Sequence, residues 1–401
     1  MKILLIHTSY AERGGEDSVF SNEVDLLSEV AEVDTLTFTN TGSTLNVIKK
    51  FLLAPWNFEA SARLRKKVKE FKPDVIHIHN WHFAASPAII RAAKGMNIPV
   101  VMTLHNYRLL CPSANLFFNG QIFTDSLKKG FPWKAVFKKV YRNSAVQTFW
   151  LSFVLQLHRS IGTWRKVDQY IALTDFGKGL FLNSPLRLNQ DQVVTKGNFV
   201  SDNGYALEGR EKHFLYVGRL TKDKGIEVLL EAFSKVDAHL KIIGDGPLKE
   251  KVLAAVKDNP RIKYEGLKKH SEISVEMKRA TALIFPSVWY EGMPMTILEA
   301  FSSATPVIAS DLGAMKSLIT DCYNGLLFDA GSDPSLKLAL EKWQRLDQGE
   351  KESYRLNARR TFEQHYTPER NLNSILSIYK KTIDQTYNLN NCNNIKQLAL
   401  K

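Results

Sequence analysis

The chain has 401 residues, 44% hydrophobic and 24% charged, more than one core normally serves, so two soluble globular domains are expected. No uninterrupted apolar run reaches the ~18–20 residues that span a bilayer, and three scattered cysteines (Cys111, Cys322, Cys392) argue against a disulfide framework or a zinc site. The net charge of +13 is uneven: residues 1–200 hold 25 Lys and Arg against 15 Asp and Glu, the remainder 29 against 26. The first half should therefore face something anionic: nucleic acid, a membrane surface or a phosphorylated substrate.

The opening MKILLIHTSY lacks a small-residue cleavage site and passes straight into a helical pattern, so Lys2 to Thr8 reads as a buried first strand and not a signal peptide. After the loop AERGGED, Asp17 to Val30 is helical, Val33 to Phe38 a second strand, and a long basic helical region ends at FKPD. Asp74 to His79 is a third strand, Pro87 to Lys94 a helix, Ile98 to Leu104 a fourth strand; Gln169 to Leu173 and Gln192 to Thr195 follow as later strands. The second half repeats the alternation. Strands are expected at Phe214–Val217, Leu240–Ile243, Ile262–Tyr264, Thr281–Val288, Pro306–Ala309 and Gly325–Phe328. Helices lie between them, and three more follow up to Tyr387. Such alternation implies two doubly wound parallel sheets. The expected division is residues 1–200, then 201–368, then a helix from 369 that crosses back to the first domain and runs into a poorly ordered Asn-rich tail. The carboxyl ends of both sheets would face one cleft.

The stretch FPSVWYEGMPMTILEA, residues 285–300, runs from a strand through a loop into a helix with Pro294 near its first turn, where its missing N–H costs nothing. Glu291 and Glu299 bracket the turn with seven residues between them. The N–H groups of Met295, Thr296 and Ile297 should be free to bind an anion. Amides for phosphates beside carboxylates for hydroxyls suit a nucleotide diphosphate sugar; a buried helix with two incidental acids is the plainer alternative.

Arg219 and Lys224, in VGRLTKDKG after the second half's first strand, offer a fork-shaped donor and a point charge for a diphosphate. Gly14 and Gly15 occupy the first strand–helix turn, where glycine permits positive φ and close backbone approach to phosphate. His105 ends the fourth strand, and His77 and His79 end the third. No carboxylate or thiolate stands at ligand spacing in the sequence beside these histidines, so a metal site is rejected. Ser126 to Lys166 holds nine basic and no acidic residues, interleaved with aromatics such as Trp133, Phe137, Phe149 and Phe153. That pattern suits an amphipathic surface resting on anionic membrane; a helical insertion with an aromatic core and solvated lysines is the alternative. No nucleic-acid module accompanies it.

Together, VGRLTKDKG, LKIIGDGP, WYEGMPMTILEAFSSATPVIASDLGA, the trailing NGLLF, ERGGED, HNW and TLHNY resemble the GT-B-fold retaining glycosyltransferases of family 4, over about residues 1–385. The resemblance implies two Rossmann-like domains facing a central cleft and transfer from a nucleotide diphosphate sugar. It assigns Glu299 to the ribose hydroxyls, Glu291 to the sugar hydroxyls, and Arg219 and Lys224 to the leaving diphosphate, helped by amides near Gly15 and Thr296. Gly292, Met293 and Pro294 would line the sugar pocket, backbone at Gly266 and Leu267 would meet the base, and His105 would contact the transferred sugar. The chain has Asn106 where relatives often have Asp, and Cys111 stands without the further cysteines some relatives carry.

The resulting expectation is a cytoplasmic hexosyltransferase with no cofactor and no metal, peripheral to the inner membrane face. It would move a hexose or N-acetylhexosamine, from a UDP-sugar by preference and with retention, to a saccharide or lipid-linked acceptor in polysaccharide or lipopolysaccharide biosynthesis. A sugar-nucleotide epimerase or another non-transferase enzyme on the same fold is the alternative. A phosphorylase lacks its pyridoxal lysine motif, a dehydrogenase lacks G-x-G-x-x-G, and a basic binding protein has no use for paired carboxylates beside cations. Donor base, donor sugar, acceptor and linkage are not encoded legibly.

Overall fold

The structure is a computed structural model that describes residues 1–9 and 14–398, with side chains described to residue 388. The chain divides into two compact units, one of residues 1–114, 124–196 and 372–401, the other of residues 115–123 and 197–371.

The first unit is built on six strands: β1 (Lys2–Ser9), β2 (Glu32–Thr39), β3 (Val75–Ile78), β4 (Val100–Leu104), and, beyond a β5 (Phe117–Phe118) and β6 (Gln121–Ile122) hairpin, β7 (Gln169–Ala172) and β8 (Val193–Thr195). They lie in the order β2-β1-β3-β4-β7-β8, all parallel. Helices α1 (Gly15–Ser28), α2 (Thr44–Leu52), α3 (Phe58–Phe71), α4 (Ala88–Lys94), α5 (Trp133–Phe137), α6 (Ala145–Ser160) and α7 (Asp175–Leu182) connect them. Continuous apolar strands such as Ile3–Ile6 are fully buried because helices cover both faces of a parallel sheet. The long basic helical region consists of two helices: the chain breaks at Leu53–Asn57, and the Asn57 side chain caps α3 by accepting the Ala60 N–H at 3.0 Å. None of the residues of α2 is buried.

The second unit has β9 (His213–Val217), α8 (Ile226–Ser234), β10 (His239–Ile243), α9 (Lys249–Asp258), β11 (Ile262–Gly266), α10 (His270–Arg279), β12 (Ala282–Phe285), α11 (Met295–Ser302), β13 (Val307–Ser310), α12 (Gly313–Leu318), β14 (Gly325–Phe328), α13 (Asp333–Arg345) and α14 (Gln348–His365). Its parallel sheet runs β11-β10-β9-β12-β13-β14. This is the Rossmann order, and the switch point falls between β9 and β12, where Phe214 and Leu215 pair with Ala282 and Leu283. The first sheet differs. Its order puts the switch between β1 and β3, so the two units are not copies of one topology.

The last helix, α15 (Pro368–Leu398), joins the first unit from Leu372 on. Ile375 and Tyr379, both fully buried, complete a core with Ile3, Leu5, Phe20, Leu27, Val75, Val101 and Ile171; each such aliphatic side chain contributes about 1.5–3 kcal/mol. From residue 389 the Asn-rich tail expected to lack order lies outside the residues whose side chains are described. Among the described residues no helix is long and apolar enough to cross a membrane.

Candidate functional site

In the second unit, the loops after β9 and β12 flank the switch point, where an open parallel sheet leaves a crevice at its carboxyl edge. The two loops are stitched together: Val288 N–H donates to the Asp223 carbonyl at 2.9 Å, and the Ser287 hydroxyl oxygen lies 3.2 Å from the same carbonyl. Gly225 is obligatory for this approach. It adopts φ +73°, and a Cβ there would lie 1.8 Å from the Pro286 oxygen.

Stitching brings Lys224 to Glu291. The ammonium donates to Glu291 Oε1 at 2.7 Å, and the same oxygen accepts from Ser287 Oγ and Trp289 Nε1, each at 2.7 Å. The Lys224 ammonium also lies 5.3 Å from the Trp289 ring centre and 5.7 Å from that of Phe285, close enough for cation–π attraction. Arg219, by contrast, is exposed, and among the described residues its guanidinium has no hydrogen-bond partner; only its carbonyl is held, by the Tyr216 hydroxyl at 2.8 Å. The two cations expected to act alike are thus in opposite states, one neutralised and fixed, the other in solvent.

Beyond the loop, α11 presents fewer free amides than expected. The Ile297 N–H turns back to the Pro294 carbonyl at 3.1 Å, leaving Met295 and Thr296 as first-turn donors, and the Ile297 side chain is fully buried in the core. Met293 does not line an open pocket with its side chain: its sulfur accepts the Asn198 N–H at 3.1 Å and packs on Gly197. Pro294 is buried as the cap of α11, and Gly292 is half-buried beside it. Glu299 is half-buried on α11, 3.8 Å from His270 Nδ1. Burial holds its pKa above the ordinary carboxylate range, with His270 opposing. At the end of β11, Gly266 has φ +68° and its carbonyl accepts the Gly244 N–H at 2.8 Å, while Leu267 is 77% exposed. Gly244 itself tolerates no side chain, since a Cβ would sit 1.9 Å from the Gly218 oxygen. The second unit therefore gathers an exposed Arg, a paired Lys–Glu, two helix amides and an acid with a raised pKa around one sheet edge. That set can bind a phosphorylated, hydroxyl-rich ligand.

The first unit presents a constellation of its own. Gly14 caps α1 at φ −124°, and neither it nor Gly15 uses the positive φ that glycine permits. The Gly14 N–H is already donated to Asp17 Oδ2 at 2.9 Å, while Asp17 Oδ1 pairs with His7 Nε2 at 2.9 Å. His105, half-buried at the end of β4, bonds through Nε2 to His79 Nδ1 at 2.9 Å. His79 Nε2 and His77 Nδ1 lie 3.3 and 3.2 Å from Glu23 Oε1, and Lys196 Nζ is 3.0 Å from Glu23 Oε2. The ground for rejecting a metal is thus overturned: α1 delivers a carboxylate to both histidines, although it is far from them in sequence. Glu23, His77 and His79 have ligand atoms within 4.8 Å of one another. The donor set fits a cation poorly all the same, because Lys196 already neutralises Glu23 and His77 is engaged by Tyr379 and Thr103 at 2.7 and 2.8 Å.

Sequence reasoning missed Glu23, Lys196, Ser287 and Trp289. Glu23 left one signal: it falls on the apolar stripe of Phe20, Val24 and Leu27, where a charge has no reason to be unless it has a buried partner.

Two family descriptions match the chain, Glycosyltransferase Family 4 over residues 5–183 and Glycosyl transferases group 1 over residues 201–361. An uncharacterized glycosyltransferase of Methanocaldococcus jannaschii is 34% identical over 132 residues, covering 32% of this chain and 37% of that protein. Sulfoquinovosyl transferase of Arabidopsis thaliana is 24% identical over 299 residues, 69% of this chain and 51% of that one. The chain spans between about a third and about half of these curated relatives. Among solved structures, HepE of Anabaena in complex with UDP matches with a TM-score of 0.68 at 15% identity, over 95% of this chain and 100% of that one, a likeness of fold.

Proposed function

The chain belongs to the group 1, family 4 glycosyltransferases of GT-B fold, and on that premise we propose that it moves a hexose or N-acetylhexosamine from a nucleotide diphosphate sugar to a saccharide or lipid-linked acceptor. The observation that carries this reading is the pairing of Lys224 with Glu291 beside the exposed Arg219 at the second sheet's switch point. A UDP-sugar is favoured as donor because the Anabaena protein of like fold was solved with UDP.

In this reading Arg219 and Lys224 stabilise charge on the departing diphosphate, a role in which preorganised donors supply much of a catalytic effect. The amides of Met295 and Thr296 add to it. Glu299 receives the ribose hydroxyls and Glu291 the sugar hydroxyls, and the backbone at Gly266 and Leu267 meets the base. His105 contacts the transferred sugar. The anomeric C–O bond to phosphate breaks as the acceptor oxygen attacks from the same face, and its proton passes to the departing phosphate oxygen, giving retention with no metal required.

The acceptor is one presented at a membrane surface in surface-polysaccharide assembly. Trp133 (52% exposed) and Phe137 (77%) project from α5 among Lys134, Lys138 and Lys139, a combination suited to an anionic interface. Not all the segment's aromatics point outward: Tyr141 and Trp164 are core residues. A thermal-shift screen of UDP-, GDP-, ADP- and dTDP-sugars tests the donor, since a ligand of the folded state raises the unfolding temperature. Stabilisation by none of them would sink the reading, and the anomeric configuration of the product decides retention.

A further inference from the structure

The buried polar chain running from Lys196 to His105 has no place in the chemistry above, yet it ends on a residue that does. Glu23, Lys196 and His79 are each less than 7% exposed, and a buried acid persists in charged form only with partners. Burial works to raise the Glu23 pKa, but Lys196 and the two histidines outweigh it and hold the carboxyl well below its ordinary range. Burial and the neighbouring His77 push His79 down to about 4. His105 is likewise held well below the usual histidine range by burial, then by His79. Near neutral pH the chain therefore comprises one carboxylate and two neutral imidazoles carrying one proton each.

The Glu23 charge favours one placement of those protons. Glu23 Oε1 lies 3.3 Å from His79 Nε2, an ion-pair distance without hydrogen-bond alignment; an ionised Glu23 has no hydrogen to give, so its charge favours the proton on His79 Nε2 over a lone pair turned toward the carboxylate. His79 Nδ1 is then bare, and the 2.9 Å contact to His105 requires the proton on His105 Nε2. That leaves His105 Nδ1 bare, and among the described residues it has no hydrogen-bond partner. The rings are held in place as well as in tautomer: His79 and His105 stack at 5.1 Å, and Phe20 meets His79 edge-on at 5.3 Å.

We propose that Glu23, through His79, is a positioning residue that locks His105 in the Nε2–H tautomer, so that His105 meets the transferred sugar as a hydrogen-bond acceptor for a hydroxyl. This rests on the proposed function only for the identity of the group that His105 meets. Lys196 keeps Glu23 ionised, and His77, with Nδ1 3.2 Å from Glu23 Oε1 and 2.7 Å from the Tyr379 hydroxyl, shares the carboxylate with His79 without contacting His105 in the chain.

The full-length protein labelled with ¹⁵N-histidine, without ligand at pH 7, tests the tautomer by long-range ¹H–¹⁵N correlation, with His105→Gln assigning the signal. Wild type should show His105 protonated at Nε2 and bare at Nδ1. In Glu23→Gln/Lys196→Met, which keeps the pair neutral, and in His79→Phe, which keeps the ring, the His105 signal should move to a mixture of tautomers. His79→Phe should also slow transfer about tenfold in kcat, the worth of roughly one hydrogen bond, with nucleotide affinity unchanged. A proton on Nδ1 in wild type overturns the proposal even if neither variant folds. So do an unchanged His105 signal in a folded variant, or zinc bound one-to-one by the purified wild type and lost in the Glu23→Gln/Lys196→Met chain. The expected tautomers together with no sugar transfer would retire the function and leave the relay standing.

Discussion

The ammonium of Lys224 and the carboxylate of Glu291, sixty-seven residues apart in sequence, are hydrogen-bonded at 2.7 Å with side chains only 18% and 9% exposed. Their loops leave neighbouring strands, β9 and β12, on either side of the switch point. The ion pair is therefore a property of the sheet order, and it fixes both side chains before any ligand arrives.

Breaking a pair this well buried leaves one charge uncompensated, which costs about 3–5 kcal/mol. Lys224→Met is expected to destabilise the second unit by that order. Lys224→Met/Glu291→Gln should recover part of the loss, since the amide oxygen introduced by Glu291→Gln still accepts from Ser287 and Trp289. Chemical denaturation of the four chains gives the coupling; strictly additive single effects would mean the pair contributes nothing.

Arg219 should behave in the opposite way. Its exposed guanidinium touches no described acceptor, so Arg219→Ala is expected to change stability by no more than about 0.5 kcal/mol while weakening transfer. Arg219→Ala/Lys224→Ala should abolish transfer. Near-normal turnover of the double variant, measured with the donor found by the thermal-shift screen, would remove the phosphate assignment.

Glu299 ties function to pH. Its folded pKa is raised, chiefly by burial, so its contribution to stability is complete below the unfolded carboxyl value and is lost as pH rises through the folded one. Glu299→Gln should therefore raise the unfolding temperature of the nucleotide-free protein at pH 8 and leave it nearly unchanged at pH 4. The same substitution should weaken nucleotide binding in calorimetry, because a ribose hydroxyl loses its carboxylate acceptor. A variant equally stable at both pH values with unchanged affinity would mean that Glu299 is only a helix residue.

The parts of the site that sequence reading found are those compressed into one loop each. Arg219 and Lys224 follow a single strand, and Glu291 and Glu299 bracket a single turn. What sequence reading missed depends on sheet order or on distant partners. Glu23 reaches His77 and His79 because β1 lies beside β3, and Lys196 arrives from the end of β8. The state of each group was also hidden. No spacing distinguishes the bound amine of Lys224 from the free guanidinium of Arg219, or shows that Asp17 has already taken the Gly14 N–H. The order of the first sheet could not be read either, since 2-1-3 and 3-2-1 windings share one alternation of strands and helices.

His158 should make the first unit sensitive to acid. It is fully buried between Pro55 and Thr163, its Nε2 2.7 Å from the Pro55 carbonyl and its Nδ1 2.9 Å from the Thr163 hydroxyl. Burial pushes its pKa down to about 4. A depressed histidine contributes stability that is present above its unfolded value near 6.5 and is lost as pH falls through about 4. One such group accounts for about 3 kcal/mol between pH 7 and pH 4. His158→Gln can donate to Pro55 and accept from Thr163 without titrating, so its stability should fall less steeply over that range. Parallel acid titration curves for the two proteins would count against the assignment.

The basic aromatic segment makes the last prediction, because its two exposed faces can be separated from its core. Trp133 and Phe137 stack on each other with ring centres 6.1 Å apart, outside the buried Ala135 and Val136 of the same helix. Trp133→Ser/Phe137→Ser should therefore leave the fold intact while removing the apolar part of a membrane contact. Lys134→Gln/Lys138→Gln should remove part of the electrostatic attraction, which acts over a screening length of about 10 Å at 0.1 M salt. Wild type is expected to sediment with anionic phospholipid vesicles at low salt and to be released as salt rises. The lysine variant should bind weakly at all salt concentrations, and the aromatic variant should bind reversibly but be released at lower salt than wild type. Equal sedimentation of all three proteins would place the membrane contact elsewhere on the first unit, and no sedimentation of wild type would remove it.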